Sequence, residues 1–290
     1  MEQTKRFTIT TCLLLFVGFI VSQCAYAQDA RQEAWTTLNA GLADQNTAER
    51  AMAVRVLGLL TNDPRAPELA MKALDDPKPE VKAAGAQAVG QLKYQAAAPK
   101  LKEILLGNDT DVSLVLECAR ALIALGDDSG YGVYYAILTG ERKSGTSLAA
   151  SQKKMLSDPK KMAKIGFEQG IGFIPFGGLG YGAIKAFTRD DESPVRAAAT
   201  KMLVNDPDPK TQEALINASN DKSWIVRIAA VDALARRDDP TVIPQLKPRL
   251  TDEKDVVKYT AAAAIIRLSD LQSGAGAPAE AALATANSSM

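Results

Sequence analysis

Histidine is absent from the 290 residues of this chain. Without imidazole there is no Ser-His-Asp or Cys-His catalytic arrangement, no histidine general base and no histidine-containing metal site. Paired carboxylates could still do acid–base chemistry, but four acidic pairs lie in turn-like segments, where Asp ordinarily serves turns and helix caps. They are Asp75-Asp76, Asp127-Asp128, Asp190-Asp191 and Asp238-Asp239. We therefore expect no catalytic residue, no metal and no cofactor, and a protein that is not an enzyme.

Cysteine is scarce, and neither sign of charge is in excess. Cys12 and Cys24 lie in an N-terminal segment that we expect to be removed, and Cys118 then stands alone in an apolar stripe. One cysteine cannot form an internal disulfide, so packing must stabilise the mature chain, and a buried structural thiol is favoured over a nucleophile. The chain has 34 Lys and Arg against 34 Asp and Glu. With no basic excess to neutralise phosphates, we expect no nucleic-acid partner.

The feature that the chain does contain is an internal repeat. Six similar blocks can be aligned, and the valines that begin the last three blocks are each 31 residues apart. A fixed period of about 30 residues is typical of a repeat array, in which stacking creates the functional surface. The blocks are Glu49–Leu60, Val81–Leu92, Leu114–Leu125, Val195–Val204, Val226–Ala235 and Val257–Leu268.

Each block predicts the second helix of a helix pair. Its apolar residues recur at helical spacing, as Val226, Ala229, Ala230, Ala233 and Leu234 do in the fifth block. A polar turn that can cap this helix precedes each block, and Pro79 and Pro194 fall near its first turn. Shorter helical runs lie before these turns, at Ala66–Leu74, Ala97–Leu106, Thr211–Ala218 and Thr241–Leu250. Such a short pair cannot bury its own apolar stripe, so neighbouring pairs must stack.

The pattern D-x-x-[PDW]-x-V-[RK]-x-x-A-x-x-A-L resembles HEAT repeats of the short bacterial type first described in phycobilisome lyases. It is carried by the segments that begin at Asp190, Asp221 and Asp252, and it covers about residues 32–270 with one interruption. The resemblance implies an all-α, right-handed solenoid of about seven helix pairs. HEAT arrays include lyases, hydroxylases, adaptors and scaffolds, so function is left open. The hydroxylases use His-Glu pairs for iron, which this chain lacks.

In that family the turn Asp and the Arg or Lys that follows Val form charge ladders between repeats. The resemblance therefore implies a structural role for six residues, paired as Asp190 with Arg196, Asp221 with Arg227, and Asp252 with Lys258.

The N-terminus is typical of an export signal. Lys5 and Arg6 are followed by the apolar run Leu13–Val21, and Ala25-Tyr26-Ala27 fits a small-x-small cleavage site. We expect residues 1–27 to be a signal peptide and the mature protein to be periplasmic or secreted. The alternative is an uncleaved membrane anchor, because about 20 uncharged residues can span a bilayer.

Between Leu125 and Val195 the period breaks, and an insert occupies about residues 140–180. Insertions in repeat arrays emerge on one face, often the binding face. The uncharged segment GIGFIPFGGLGYG permits three interpretations: a packed Gly-rich cover, a partner-binding loop, or an element that inserts into a membrane surface. The loop would present Phe173, Ile174, Phe176 and Tyr181, and the membrane interpretation adds Lys160, Lys161 and Lys164.

The chain therefore divides into a signal peptide (1–27), a HEAT-repeat solenoid (28–272) and a tail (273–290). The tail is small, polar and of low complexity, so we expect disorder there. Trp35 and Trp224 are expected to be packed edge residues. The function we expect is that of an exported scaffold or adaptor, which holds a protein or peptide along the face lined by the second helices. The alternatives are a membrane-associated envelope assembly factor and an enzyme like the bilin lyases.

Overall fold

A computed structural model of the chain describes residues 27–107, 111–139 and 193–273. The signal segment before Ala27, the insert and the tail after Ser273 lie outside these described residues, so the predictions for those parts remain predictions.

The described residues form twelve helices. The first helices of the repeats are α1 (27–42), α3 (Arg65–Ala73), α5 (Ala98–Leu106), α7 (Ser129–Thr139), α9 (Pro209–Ala218) and α11 (Ile243–Leu246). The second helices are α2 (Thr47–Val56), α4 (Pro79–Gln91), α6 (Val112–Ala124), α8 (Ser193–Met202), α10 (Trp224–Arg236) and α12 (Asp255–Gln272). The all-α solenoid of HEAT-like helix pairs is confirmed.

The polar turns start the helices in two ways. Asn46, Asp111 and Asp208 are N-caps whose side chains accept backbone N–H groups of the first turn. At α4, α10 and α12 the cap side chain makes no such bond, and the carboxylate two residues earlier accepts the N–H of the cap residue instead. Pro79 occupies the first position of α4, where its missing N–H costs little.

One predicted helix is broken. The run Thr241–Leu250 consists of a 3-10 turn (Pro240–Val242), the four-residue α11 and a second 3-10 turn (Lys247–Thr251). Pro244 and Pro248 explain the difference. A proline inside a helix removes one hydrogen bond and clashes with the carbonyl four residues before it.

Helix α10 is buried on more sides than an amphipathic helix, which buries only its apolar face. The predicted stripe is buried, with Ala230 fully inaccessible, but Arg227 and Asp232 on the other sides are buried as well. The cause is its position, because α10 packs against α8, α9 and α12.

The repeats do not stack in chain order. In the amino-terminal half (27–139) α2 packs on α4 and α4 on α6, and in the carboxy-terminal half (193–273) α8 packs on α10 and α10 on α12. Helix α12 then packs on α2, so the second helices follow the spatial order α8, α10, α12, α2, α4, α6. We call the contact of α12 with α1 and α2 the seam. The chain ends of the array meet at the seam, and residues 140–192 connect its two outer ends.

The seam is packed like the rest of the core. One apolar cluster extends from Leu38 and Val54 in the amino-terminal half to Tyr259 and Ile265 in α12. A Cβ atom on Gly41 would lie 2.5 Å from the Tyr259 ring, so the close approach of α1 and α12 requires glycine there.

Candidate functional site

An Arg–Asp ladder joins successive repeats. Arg50, Arg196 and Arg227 each occupy the fourth residue of a second helix, and each donates from Nε and Nη2 to both carboxylate oxygens of one Asp. The acceptors belong to the turn of the next repeat, and they are Asp76, Asp221 and Asp252, at 2.8 to 3.2 Å. Such two-point pairs fix orientation as well as distance.

This geometry corrects two of the predicted pairings and leaves the third, of Asp190 with Arg196, a prediction. Arg227 does reach Asp221, but its Nη1 donates to the backbone carbonyl at 3.1 Å, while its charge partner is the carboxylate of Asp252. Lys258 pairs with Asp255 of its own helix, not with Asp252. Asp190 lies outside the described residues, and Arg196 pairs with Asp221. A guanidinium carries five donors in a planar fork, so Arg227 serves both its own turn and the carboxylate of the next.

The ladder perturbs its carboxylates. Burial acts to raise the pKa of Asp221, but hydrogen bonds from the Ser223 backbone and the Arg196 guanidinium outweigh it and hold the pKa below its usual range. At Asp76 burial is likewise outweighed, by Arg50 and the Lys78 backbone, and its pKa is also lowered. These acids stay ionised as parts of turns and pairs, which is a structural use of their charge.

A second row of polar side chains runs along the array and was not singled out from the sequence. It is formed by the ninth residue of five second helices: Arg55, Gln87, Arg120, Lys201 and Asp232. Arg55 Nε donates to Gln87 Oε1 at 2.9 Å, which joins the row from α2 to α4, whereas in α12 the buried Ala263 takes the ninth position. Burial lowers the pKa of Lys201, and the charge of Asp232 opposes this effect. All five residues stand the same number of positions after the first residue of their helix, and this constant spacing could have revealed the row in the sequence.

The position of α7 fixes which of its sides faces outward. Gly130 lies against α6, where a Cβ atom would meet the Ala119 carbonyl oxygen at 2.3 Å. Tyr134 donates from its hydroxyl to the Leu116 carbonyl at 3.2 Å. Asp127 anchors the start of α7, and hydrogen bonds from Lys102 and from Ser129 lower its pKa to about 2. Gly130 and Tyr134 thus turn one side of α7 towards α6.

The adjacent side of α7 is an exposed apolar surface. Tyr131, Tyr135 and Leu138 follow helical spacing and are 58%, 62% and 84% exposed. Helix α7 contains no charged residue. We call these three residues the α7 surface. It lies at the end of the array where the chain enters the insert.

The insert residues singled out from the sequence lie outside the described residues. They are Phe173, Ile174, Phe176, Tyr181, Lys160, Lys161 and Lys164. Their role therefore stays a prediction.

Cys118 is a buried free thiol on α6. Burial raises its pKa to about 12, so the thiolate needed for nucleophilic chemistry is strongly disfavoured. The interpretation as a structural residue agrees with this position.

Both tryptophans are packed. Trp35 is buried in α1, and the Arg65 guanidinium lies 3.9 Å from the centre of its ring. Trp224 is partly buried and packs against two apolar clusters, one that contains Ala197 and Ala229 and one that contains Ile228 and Val257. Their surroundings are those of core and edge residues.

Within residues 27–107, 111–139 and 193–273, no group of three or more His, Cys, Asp or Glu side chains could hold a metal ion. None of the helices in these ranges combines the length and the apolar character that a membrane crossing needs.

A protein-family model described as HEAT repeats matches residues 36–128 and 182–266, which together make up more than half of the chain. A search of curated proteins finds no significant match. Among solved structures, human deoxyhypusine hydroxylase in complex with glycerol is 14% identical, with 86% of this chain and 97% of that chain covered and a TM-score of 0.32. An engineered protein is 16% identical, with 84% and 97% covered and a TM-score of 0.27.

Proposed function

The chain belongs to the HEAT-repeat family, and from that premise we propose that it is an exported, non-enzymatic scaffold or adaptor that binds a protein or peptide partner. We extend the proposal to the short, phycobilisome-lyase-like type of repeat, on the strength of the D-x-x-[PDW]-x-V-[RK] pattern.

The α7 surface is the observation that carries this proposal. An uncharged helix that exposes Tyr131, Tyr135 and Leu138 at the end of an array departs from the polar outer face typical of capping repeats. Exposed aromatic clusters mark interaction sites, because Tyr supplies a large contact area with a polar tip. Three arginines of the regular repeats, in contrast, are used in the ladder between repeats.

The insert follows α7 directly in the sequence. It begins one residue after Thr139, and its sequence offers Phe173, Ile174, Phe176 and Tyr181 as further apolar anchors. We propose that the partner contacts both the α7 surface and these anchors. The polar row on the second helices, from Arg55 to Gln87 and beyond, would then orient a peptide that runs along the array.

Export is the remaining part of the proposal. Lys5, Arg6, the apolar run Leu13–Val21 and the site at Ala25-Tyr26-Ala27 support cleavage before Gln28 and a periplasmic or secreted protein.

A shortened insert tests the location of binding. Gln152–Gly178 is replaced by a Gly-Ser turn, and binding is measured for a partner that the full mature protein captures from envelope extracts. We expect helical circular dichroism and cooperative melting to remain, because repeat stability depends on neighbouring repeats. Binding should fall at least ten-fold.

Two further variants sharpen the test. Tyr131→Ser combined with Tyr135→Ser should also weaken capture, whereas Lys210→Ala, an exposed change in the other half, should not. If the shortened protein folds and binds as well as the parent, the insert is not the contact. If only anionic vesicles are bound, through Lys160, Lys161 and Lys164, the membrane-associated alternative replaces the scaffold.

A further inference from the structure

The predicted cleavage site lies against α12 in the folded chain. Helix α1 begins at Ala27, the last residue of the predicted signal segment, and Ala27 is buried. Ser269 of α12 donates from Oγ to the Ala27 carbonyl oxygen at 3.3 Å. By peptide geometry the Gln28 nitrogen lies about 2.2 Å from that oxygen, and therefore within roughly 5.5 Å of Ser269 Oγ. The bond that export would cut is thus part of the seam.

The residue after Ser269 has a carboxylate oxygen without a partner. Asp270 Oδ1 accepts from Arg31 Nε at 2.7 Å, whereas Oδ2 is buried and makes no hydrogen bond within the described residues. Asp270 is 2% exposed, and burial raises the pKa of its carboxyl. Arg31 follows Gln28 by about one helical turn, so this carboxylate lies beside the first turn of α1. A buried acceptor of this kind ordinarily has a donor.

The other charged side chains around the first turn of α1 are used in pairs. They are Asp29, Arg31 and Glu33 on α1, Asp63 and Arg65 at the start of α3, and Lys247 after α11. The Asp63 carboxylate binds both arginines, Arg31 at 2.9 Å and Arg65 at 2.6 Å. Lys247 pairs with both acids of α1, at 3.2 and 3.1 Å. None of these printed contacts supplies a donor to Asp270 Oδ2.

Hydrolysis of the Ala27–Gln28 bond changes this corner of the seam. One water is taken up, the new carboxylate leaves on Ala27 with residues 1–27, and the amine stays on Gln28. That amine has an ordinary pKa of about 7.7 to 8.0, so at neutral pH it is mostly an ammonium group. A positive charge at the N-terminal end of a helix is unfavourable unless an anion lies beside it.

We propose that processing completes the seam: the α-ammonium group of Gln28 binds the Asp270 carboxylate through Oδ2, with Ser269 Oγ as a second acceptor. The ion pair rests on the proposed cleavage before Gln28, because the uncleaved chain has an uncharged peptide nitrogen at this position. Only the mature protein therefore has this contact. Removal of the signal segment fixes the start of α1 against α12.

The test uses the mature chain released from a cleavable fusion, which makes residue 28 the first residue independently of the host. Gln28→Ser prevents the cyclisation of an N-terminal glutamine to a neutral lactam, and position 28 is exposed. Trace acetylation of the terminal amine is followed against pH by mass spectrometry, because only the neutral amine reacts. The ion pair should raise the midpoint of this profile by at least about one pH unit above the ordinary α-amino range.

Two variants assign the raised midpoint to one carboxylate. Asp270→Asn keeps an acceptor for Arg31 but removes the charge, so the midpoint should return to the ordinary range. Asp29→Asn removes the adjacent, mostly exposed charge and should leave the midpoint high. The proposal is overturned by an ordinary midpoint in the Gln28→Ser chain, or by a midpoint that falls with Asp29→Asn and not with Asp270→Asn.

A second measurement needs no variant of the seam. In the released chain that retains Gln28, glutaminyl cyclase removes the charge, since the amine closes onto the side-chain amide and ammonia leaves. At pH 6 the cyclised form should melt several degrees below the freshly released form. A group with a raised folded-state pKa stabilises fully below its unfolded pKa, and the effect is lost as pH rises through the raised value, so the two forms should melt alike near pH ~10.

Equal melting of the two forms at pH 6 would contradict the ion pair. Retention of residues 1–27 in protein from the native host would instead refute the cleavage on which the ion pair rests. The two failures are distinguishable, because the released chain has its terminus at residue 28 in either case.

Discussion

Arg227 and Asp252 form a buried two-point ion pair between consecutive repeats, with 7% and 3% of their side chains exposed. Arg227→Ala should therefore destabilise the array by about 3 kcal/mol, because it leaves the buried Asp252 carboxylate without its main partner. Arg249 still contacts the Asp252 carboxylate, at 3.4 Å, and this contact limits the loss of stability. Chemical denaturation measures the change.

Arg196→Ala is the matched control. Arg196 makes the same pair with Asp221, but its side chain is 37% exposed, and water screens the charges. We expect a loss of at most about 1 kcal/mol. Equal losses for the two variants would show that burial does not decide the strength of the ladder.

Ala230→Asp should unfold much of the carboxy-terminal half. Ala230 is fully buried in α10, so an Asp side chain would place an unpaired carboxylate in the core, at a cost of several kcal/mol. Ala199 occupies the same, seventh position of α8 but is exposed. Ala199→Asp should change the melting temperature by only a few degrees. If Ala230→Asp and Ala199→Asp melted at similar temperatures, Ala230 would not lie on the packed face of α10.

Acid should weaken the ladder. The folded-state pKa values of Asp76 and Asp221 are lowered, since bonds from Arg and backbone N–H groups outweigh the effect of burial. Their stabilising effect is complete above the ordinary Asp pKa of about 4, and it is lost as pH falls through the lowered values. Asp270 acts in the opposite direction, because burial raises its pKa.

Melting temperatures between pH 7 and pH 3 measure this dependence. Asp76→Asn retains a side-chain acceptor for its turn but loses the charge pair, so it should melt lower at pH 7 and show a flatter acid slope. Asp75→Asn changes the adjacent, mostly exposed side chain and should follow the parent protein. If the melting temperature of Asp76→Asn fell with acid as steeply as that of the parent protein, Asp76 would not contribute to the acid sensitivity of the ladder.

The mature protein should begin at Gln28. The motivation is the succession of Lys5 and Arg6, an apolar run and a small-x-small site in the sequence. Intact-mass measurement of the protein from its native host decides the matter. A chain that retains residues 1–27 in the membrane fraction would establish an anchor instead.

Much of the fold could be predicted from the sequence, because helical periodicity is a local property. The fifth block, Val226–Ala235, lies within α10, and the turn acids begin the second helices as expected. The exceptions are local too, such as the break of Thr241–Leu250 at Pro244 and Pro248.

The order of stacking could not be predicted in this way. All second helices present similar Ala-rich faces, so the sequence does not indicate that α12 should pack on α2. The pairing within the predicted ladder was wrong for a related reason: Arg227 can reach both its own turn and the next, and only the geometry shows that its carboxylate partner is Asp252. The α7 surface, in turn, depends on how Gly130 seats the helix on α6.

Zero-length carbodiimide cross-linking tests the stacking order most directly, since it joins only amines and carboxylates that already touch. We predict an amide between Lys247 and either Glu33 or Asp29. The Lys247 Nζ atom lies 3.1 Å from the Glu33 carboxylate and 3.2 Å from the Asp29 carboxylate, across the seam. Peptide mass spectrometry would identify it. In a solenoid stacked in chain order these residues would lie far apart, near opposite ends. Cross-links of Lys247 only to residues of the carboxy-terminal half would therefore contradict the seam.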